Sequence, residues 1–362
     1  MERAMFFTMG HVLSESHQSN ELGCVSQTIT HGISLDERLI QILWYRNIRW
    51  ENIATPATLS SPEELMPAPM ITESRFALAR PNKVTIAAYH WTLSRSPRAI
   101  MVVAHGMGEH ARRYPPALAT LLEGDINLYG IDHRGHGVTL AFSTQAPGDF
   151  GPGGFSAVVD DLTSLVKRAR RENPNLPVFL LGHSMGSFIS QAFVLDHAAL
   201  IDGLVLVGTT AVDAVVETAQ REVDLGVALN RAFEPARTPF DWLSSNETEV
   251  DAYIADPLCG FSLVPDSMVS LFSQGPRLAD PVALSGIGKA LPLYILVGER
   301  DPLVSDIGKL DRLIERYRAA GLRPVVARYP QGRHEILNEI NRAEVVQGLL
   351  AWLNSVIDKM HA

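Results

Sequence analysis

The segment Val178-Phe179-Leu180-Leu181-Gly182-His183-Ser184-Met185-Gly186-Ser187 constrains this chain more than any other. A short apolar run, Val178 to Leu181, reads as a buried strand, and 186–197 reads as a helix. Between them lies Gly-x-Ser-x-Gly. A strand that turns straight into a helix brings backbone against backbone, so only glycine fits two residues to either side of the serine. Such a turn holds Ser184 up at the strand's carboxyl end and aims the N–H of Met185 at any negative charge developing beside it. The pentapeptide alone also arises by chance as a surface turn; the strand before it and the helix after it favour a nucleophile.

The surroundings alternate in the same way. Apolar or β-branched runs at 84–91, 99–104, 126–131, 178–181, 204–207, 293–297 and 324–329 read as strands. Amphipathic runs at 115–123, 155–170, 186–197, 307–320 and 342–359 read as helices between them. Repeated strand–helix–strand order predicts an α/β fold, a mainly parallel sheet flanked by helices. The interval 209–290 breaks the alternation. It lacks an evident strand but carries Phe233, Phe240, Trp242, Tyr253, Phe261, Met268, Leu271 and Phe272. A structureless loop of that length is improbable inside a compact domain, so a helical insertion is expected, placed as a lid over the strand ends.

A serine hydroxyl needs a base, and the base needs an orienting acid. Where a serine stands at such a turn, acid and then histidine follow it along the chain. Only His197, His334 and His361 follow Ser184. His197 lies near the end of the next helix and His361 is penultimate, whereas His334 follows the last strand, so His334 is the expected base. Asp301 is the expected acid: it follows the strand 293–297 and precedes Pro302, which keeps it out of helical geometry. Glu299 and Asp306 are its rivals; Asp306 begins a helix, where capping is the ordinary role. The loop His105-Gly106-Met107-Gly108-Glu109-His110 follows an early strand, so the N–H groups of Met107 and Met185 are the expected oxyanion donors. His105, His110, His133 and His136 invite a metal reading, but no spaced ligand pair shares a helix, and no metal is expected.

These elements together resemble the α/β-hydrolase superfamily, and within it the monoacylglycerol lipase and bacterial lysophospholipase group of serine aminopeptidase S33 type. The resemblance rests on His105-Gly106-Met107-Gly108-Glu109-His110, Asp132-His133-Arg134-Gly135-His136-Gly137, Gly182-His183-Ser184-Met185-Gly186 and Arg333-His334-Glu335-Ile336-Leu337-Asn338-Glu339. It implies an α/β-hydrolase domain over about 73–358 that hydrolyses single-chain carboxylic esters through an acyl-enzyme, without a cofactor, under a lid that shapes an acyl tunnel. Phe240, Trp242, Phe261 and Leu271 are the expected lining, although such apolar stripes serve plain helix packing as readily. A short-chain esterase, an acyltransferase and a non-catalytic binding protein are the rival readings.

Residues 1–72 read as an appendage with one helix at 39–50, which either docks on the main domain or meets a membrane surface. The first residues make a poor signal peptide, since Gly10 and His11 interrupt the apolar run. A formal charge of −9 argues against a nucleic-acid surface, and two cysteines suit a reducing compartment. The expected setting is cytoplasmic, with transient contact of the lid at a membrane surface, and the expected partner is a small acyl ester.

Overall fold

Five strands with no exposed residue form the middle of the sheet: β3 (Ala99–Ala104), β4 (Ile126–Ile131), β5 (Val178–His183), β6 (Gly203–Val207) and β7 (Leu293–Gly298). Covered on both faces, they need no polar alternation, which is why they read as continuous apolar runs. Around them lie β1 (Thr72–Arg80), β2 (Val84–Thr92) and β8 (Val325–Tyr329). The computed structural model describes residues 70–93, 96–220, 225–305 and 309–361, so the expected appendage helix at 39–50 lies outside the described residues.

The eight strands are ordered β1-β2-β4-β3-β5-β6-β7-β8. β2 pairs antiparallel with both β1 and β4, and all other pairs are parallel. Register matters for function. Ala104 is level with Gly182, His183 with Val207, Val207 with Leu296, and Gly298 with Tyr329. The loops after β3, β5, β6, β7 and β8 therefore emerge along one edge of the sheet, where ligands bind in open parallel sheets. β1 was not expected. Its sequence, Thr-Glu-Ser-Arg-Phe-Ala-Leu-Ala-Arg, is partly exposed at the sheet edge and lacks an apolar run.

Helices α1 (Tyr114–Ala117) and α2 (Ala119–Glu123) replace the single helix expected at 115–123, because Leu118 leaves helical geometry at φ −105°, ψ 19°. α3 (Gly154–Glu172) buries Phe155, Val158, Val159, Leu162, Leu165, Val166 and Ala169, an apolar stripe at helical spacing. α4 (Met185–His197) is buried from Met185 to Val194, so its amphipathicity is weak. Between β6 and β7 the described residues form α5 (Val212–Ala219), α6 (Leu225–Asn230), α7 (Glu247–Ala255), α8 (Pro265–Phe272), α9 (Gly275–Ala279) and α10 (Pro281–Ser285), with no strand among them. The chain then continues through α11 (Pro302–Ser305), α12 (Leu310–Ala319) and α13 (Arg342–His361). No described helix is long and apolar enough to cross a membrane.

Candidate active site

Ser184 occupies the turn between β5 and α4 at φ 52°, ψ −120°. Such backbone costs a non-glycine residue about 1–3 kcal/mol and persists only where its surroundings enforce it. Here the flanking glycines do so. A Cβ on Gly182 would lie 2.3 Å from the Gly186 carbonyl oxygen, and one on Gly186 would lie 2.0 Å from that of Ala104. The Ser184 N–H donates to the Val207 carbonyl at 3.0 Å, pinning the turn to β6.

His334 and Asp301 come together because the loops after β7 and β8 are laced to each other. Glu299 N–H donates to Tyr329 O at 2.9 Å and Arg300 N–H to Gly332 O at 3.0 Å. A Cβ on Gly298 would meet Gly332 O at 2.2 Å, so that contact needs glycine. Asp301 Oδ2 then lies 2.8 Å from His334 Nδ1, while Asp301 Oδ1 accepts from the Leu303 N–H at 2.9 Å. Both side chains are buried, at 0% and 2% exposure. A carboxylate can only accept, so the proton sits on Nδ1 and the Nε2 lone pair is left for another group. Glu299 is exposed, Asp306 lies outside the described residues, His197 packs against Phe193 at the end of α4 with the rings tilted, and His361 is exposed.

Ser184 and His334 line one cavity of about 780 Å³ together with Met107, Phe240, Trp242, Phe261 and Met268. That volume suits a small-molecule ligand. Neither the Met107 nor the Met185 peptide N–H donates to any group among the described residues. Met185 is the first residue of α4, where N–H groups lack an intrahelical acceptor. The Trp242 ring packs on that of His334, tilted by 37° with centroids 4.6 Å apart, and the Trp242 carbonyl accepts the His334 backbone N–H at 3.3 Å. Leu271 corrects the expected lining: it is buried in the core on the inner face of α8, and Met268 of the same helix faces the cavity instead.

Glu109, His183 and Glu335, which also line the cavity, belong to a network that the sequence did not announce. Arg113 bridges two carboxylates, Glu109 at 2.8 Å and Glu335 through a two-pronged contact at 2.7 Å. Glu109 also accepts from the Gly106 N–H at 2.6 Å and the Tyr114 hydroxyl at 2.8 Å, and it faces His183 Nδ1 at 3.1 Å. Burial would raise the Glu109 carboxyl, but the His183 hydrogen bond and the Arg113 charge hold it well below the usual carboxylate range. Arg113 does the same for Glu335 against burial. Burial opposes charge on His183 too, yet its bond to Glu109 pushes it up. The histidine loop and the Met107 loop are thus joined through one guanidinium. Truncating one member of a buried ion group leaves its partners uncompensated. Arg113→Met is expected to cost about 3–5 kcal/mol of stability in urea unfolding; a loss below about 1 kcal/mol would show that the network carries no such load.

His105, His133 and His136 cluster below the same loop, with ring centroids of 4.2 Å for His105–His133 and 5.3 Å for His105–His136. Two of the rings are held by backbone groups: His105 Nδ1 donates to Gly106 O at 2.8 Å, His105 Nε2 accepts the His133 backbone N–H at 2.9 Å, and His136 Nδ1 donates to Arg134 O at 2.9 Å. Burial lowers His133 to about 3 and His136 to about 4. In the unfolded chain imidazoles titrate near 6.5, so below that pH the unfolded state takes up protons that the folded state refuses. Stability present above pH 6.5 is then lost as pH falls toward the folded values. At pH 5 each ring withdraws about 2 kcal/mol. Urea unfolding at pH 7 and pH 5 tests this: His136→Gln is expected to reduce the acid loss by about 2 kcal/mol, and parallel profiles for variant and parent would contradict it.

With this geometry in view, residues 95–341 match the family described as serine aminopeptidase, S33. The chain belongs to that family. A monoacylglycerol lipase of Mycolicibacterium smegmatis is 28% identical over 287 residues, covering 78% of this chain and 98% of that protein. A monoglyceride lipase of Homo sapiens is 30% identical over 229 residues, covering 60% of this chain and 70% of that protein. Among solved structures, a thermostable carboxyl esterase from Bacillus coagulans, in complex with glycerol, matches with a TM-score of 0.70 at 28% identity, covering 80% of this chain and all of that one. This S33-family chain has the α/β-hydrolase fold of these relatives, which are named as lipases and esterases.

Proposed function

We propose that this ester-hydrolysing α/β hydrolase acts on carboxylic esters bearing one acyl chain, of the monoacylglycerol or lysophospholipid type, through an acyl-enzyme on Ser184. The observation that carries the reading is the placement of Ser184 and His334 on one cavity, with Asp301 on the far nitrogen of the imidazole. His334 Nε2 takes the Ser184 proton as Oγ attacks the ester carbonyl. The free N–H groups of Met107 and Met185 receive the oxyanion, and the positive end of α4 adds to their effect. His334 then protonates the leaving alcohol, and the same imidazole activates the water that releases the acid.

Substrate class rests on the cavity wall and the relatives. Phe240, Trp242, Phe261 and Met268 give an acyl chain an apolar surface, while Glu109, Glu335 and His183 add the polar groups that an alcohol headgroup requires. The insertion supplies the apolar side and serves as the lid of a single hydrolase domain. Val227, Ile254 and Val269 on α6, α7 and α8 are exposed by 62%, 46% and 68%, which supports transient contact between this insertion and a lipid surface. Only two cysteines in the chain support a reducing, cytoplasmic setting.

The test is a panel of p-nitrophenyl esters of increasing chain length beside a monoacylglycerol and a lysophospholipid. The reading expects kcat/KM to rise with chain length beyond short acyl groups and at least one of the two lipids to be cleaved. Activity confined to acetyl and butyryl esters would replace it with a short-chain esterase.

A further inference from the structure

A second group of reactive side chains lies where the insertion meets the Met107 loop. His110 Nε2 is 2.9 Å from Asp256 Oδ2, and Cys259 carries a free thiol beside them. One nitrogen, one carboxylate oxygen and one sulfur lie within 4.8 Å of one another, the one such cluster of metal-ligating atoms among the described residues. Local sequence puts two of them on one side. Asp256-Pro257-Leu258-Cys259 closes a turn in which the Cys259 N–H donates to Asp256 O at 3.0 Å, and the Leu258 N–H donates to Asp256 Oδ1 at 2.8 Å. Proline at the second turn position is favoured there, and the extended backbone at Asp256 fits a residue preceding proline. The next residue binds across the join, as the Gly260 N–H donates to Gly108 O at 3.0 Å.

We propose that His110, Asp256 and Cys259 bind a zinc-type divalent cation, leaving a fourth position to water and tying the 256–259 turn to the loop that carries Met107. The donor set suits such an ion: imidazole, carboxylate and thiolate together are the ligands of a borderline-soft metal, not of calcium or magnesium. In tetrahedral zinc, donor atoms lie roughly 3.5 Å apart, so closure asks for about 1 Å of side-chain movement from the separations present. His110 is buried, and Asp256 and Cys259 are half-buried, which leaves a side open to solvent for entry of the ion. On binding, the imidazole places its proton on Nδ1, and the thiol proton passes to solvent as the metal–sulfur bond forms. The site is separate from the Ser184 chemistry and does not depend on it.

The experiment uses the full chain carrying Cys24→Ser, which leaves Cys259 as its only thiol. After chelator treatment, cobalt(II) is titrated by absorption and zinc by competition. The proposal expects one equivalent of cobalt, a thiolate-to-cobalt charge-transfer band that zinc abolishes, and a zinc-dependent rise in thermal midpoint. Adding Cys259→Ser should remove the band and the thermal rise and weaken zinc binding by at least about 10-fold, and Asp256→Asn should weaken it by about as much. Absence of the band from the Cys24→Ser parent overturns the proposal, as does unchanged zinc affinity in the Cys259→Ser protein. Thermal midpoints without metal show whether Asp256→Asn disturbs folding; Cys259→Ser, a near-isosteric change, remains decisive in that case.

Discussion

Ser184→Ala is expected to lower kcat for ester hydrolysis by about 10⁶ while leaving the fold and substrate binding in place, a magnitude taken from removal of the nucleophile in another serine hydrolase. The expectation follows from where the hydroxyl sits. Alanine fits the same turn, because the crowding that shapes it comes from Gly182 against Gly186 O and Gly186 against Ala104 O, not from the serine oxygen. The cavity wall and the Met107 and Met185 N–H groups also remain, so residual rate from binding and oxyanion stabilisation survives. Single-turnover and steady-state measurements on one p-nitrophenyl ester check this. A loss below about 10²-fold would move the nucleophile elsewhere.

Asp301→Asn is expected to cost about 10⁴ in kcat. Asp301 is fully buried, with one oxygen fixed by the Leu303 N–H and the other facing His334 Nδ1. If asparagine keeps its carbonyl on the Leu303 N–H, its amide presents hydrogens to Nδ1. The imidazole must then carry its proton on Nε2, which turns the proposed base into a donor unable to take the Ser184 proton. An unchanged rate would contradict this orienting role. Replacement of Glu299 is expected to leave the rate within about 2-fold, since the residue is exposed whereas Asp301 and His334 are buried; a loss comparable to that of Asp301→Asn would make it the acid instead.

Much of this architecture can be read from the chain. The inner strands announce themselves because burial on both faces leaves them without polar positions, and the turn at Ser184 is legible because its crowding demands glycine at two fixed offsets. β1 hides because an edge strand shares its surface with solvent and carries Glu73, Arg75 and Arg80. Asp301 and Glu299 are close competitors on sequence alone. What separates them is the lacing of Gly298 against Gly332, which buries one carboxylate and exposes the other. The Glu109–Arg113–Glu335 group escapes sequence reading because its members meet across 222 residues, although each motif that holds them is visible. Leu271 and Met268 lie three residues apart on one helix and both meet the core; only Met268 also reaches the cavity, a difference made by tertiary packing and not by hydrophobicity.

The most direct test of the proposed acyl-enzyme is reaction of the full chain with a long-chain alkyl fluorophosphonate, followed by peptide mass spectrometry. One adduct per chain is predicted, on the peptide containing Ser184, formed more slowly in the presence of a monoacylglycerol and absent from Ser184→Ala. Loss of hydrolysis with the adduct on a different serine, or full hydrolysis with Ser184 unmodified, would contradict it.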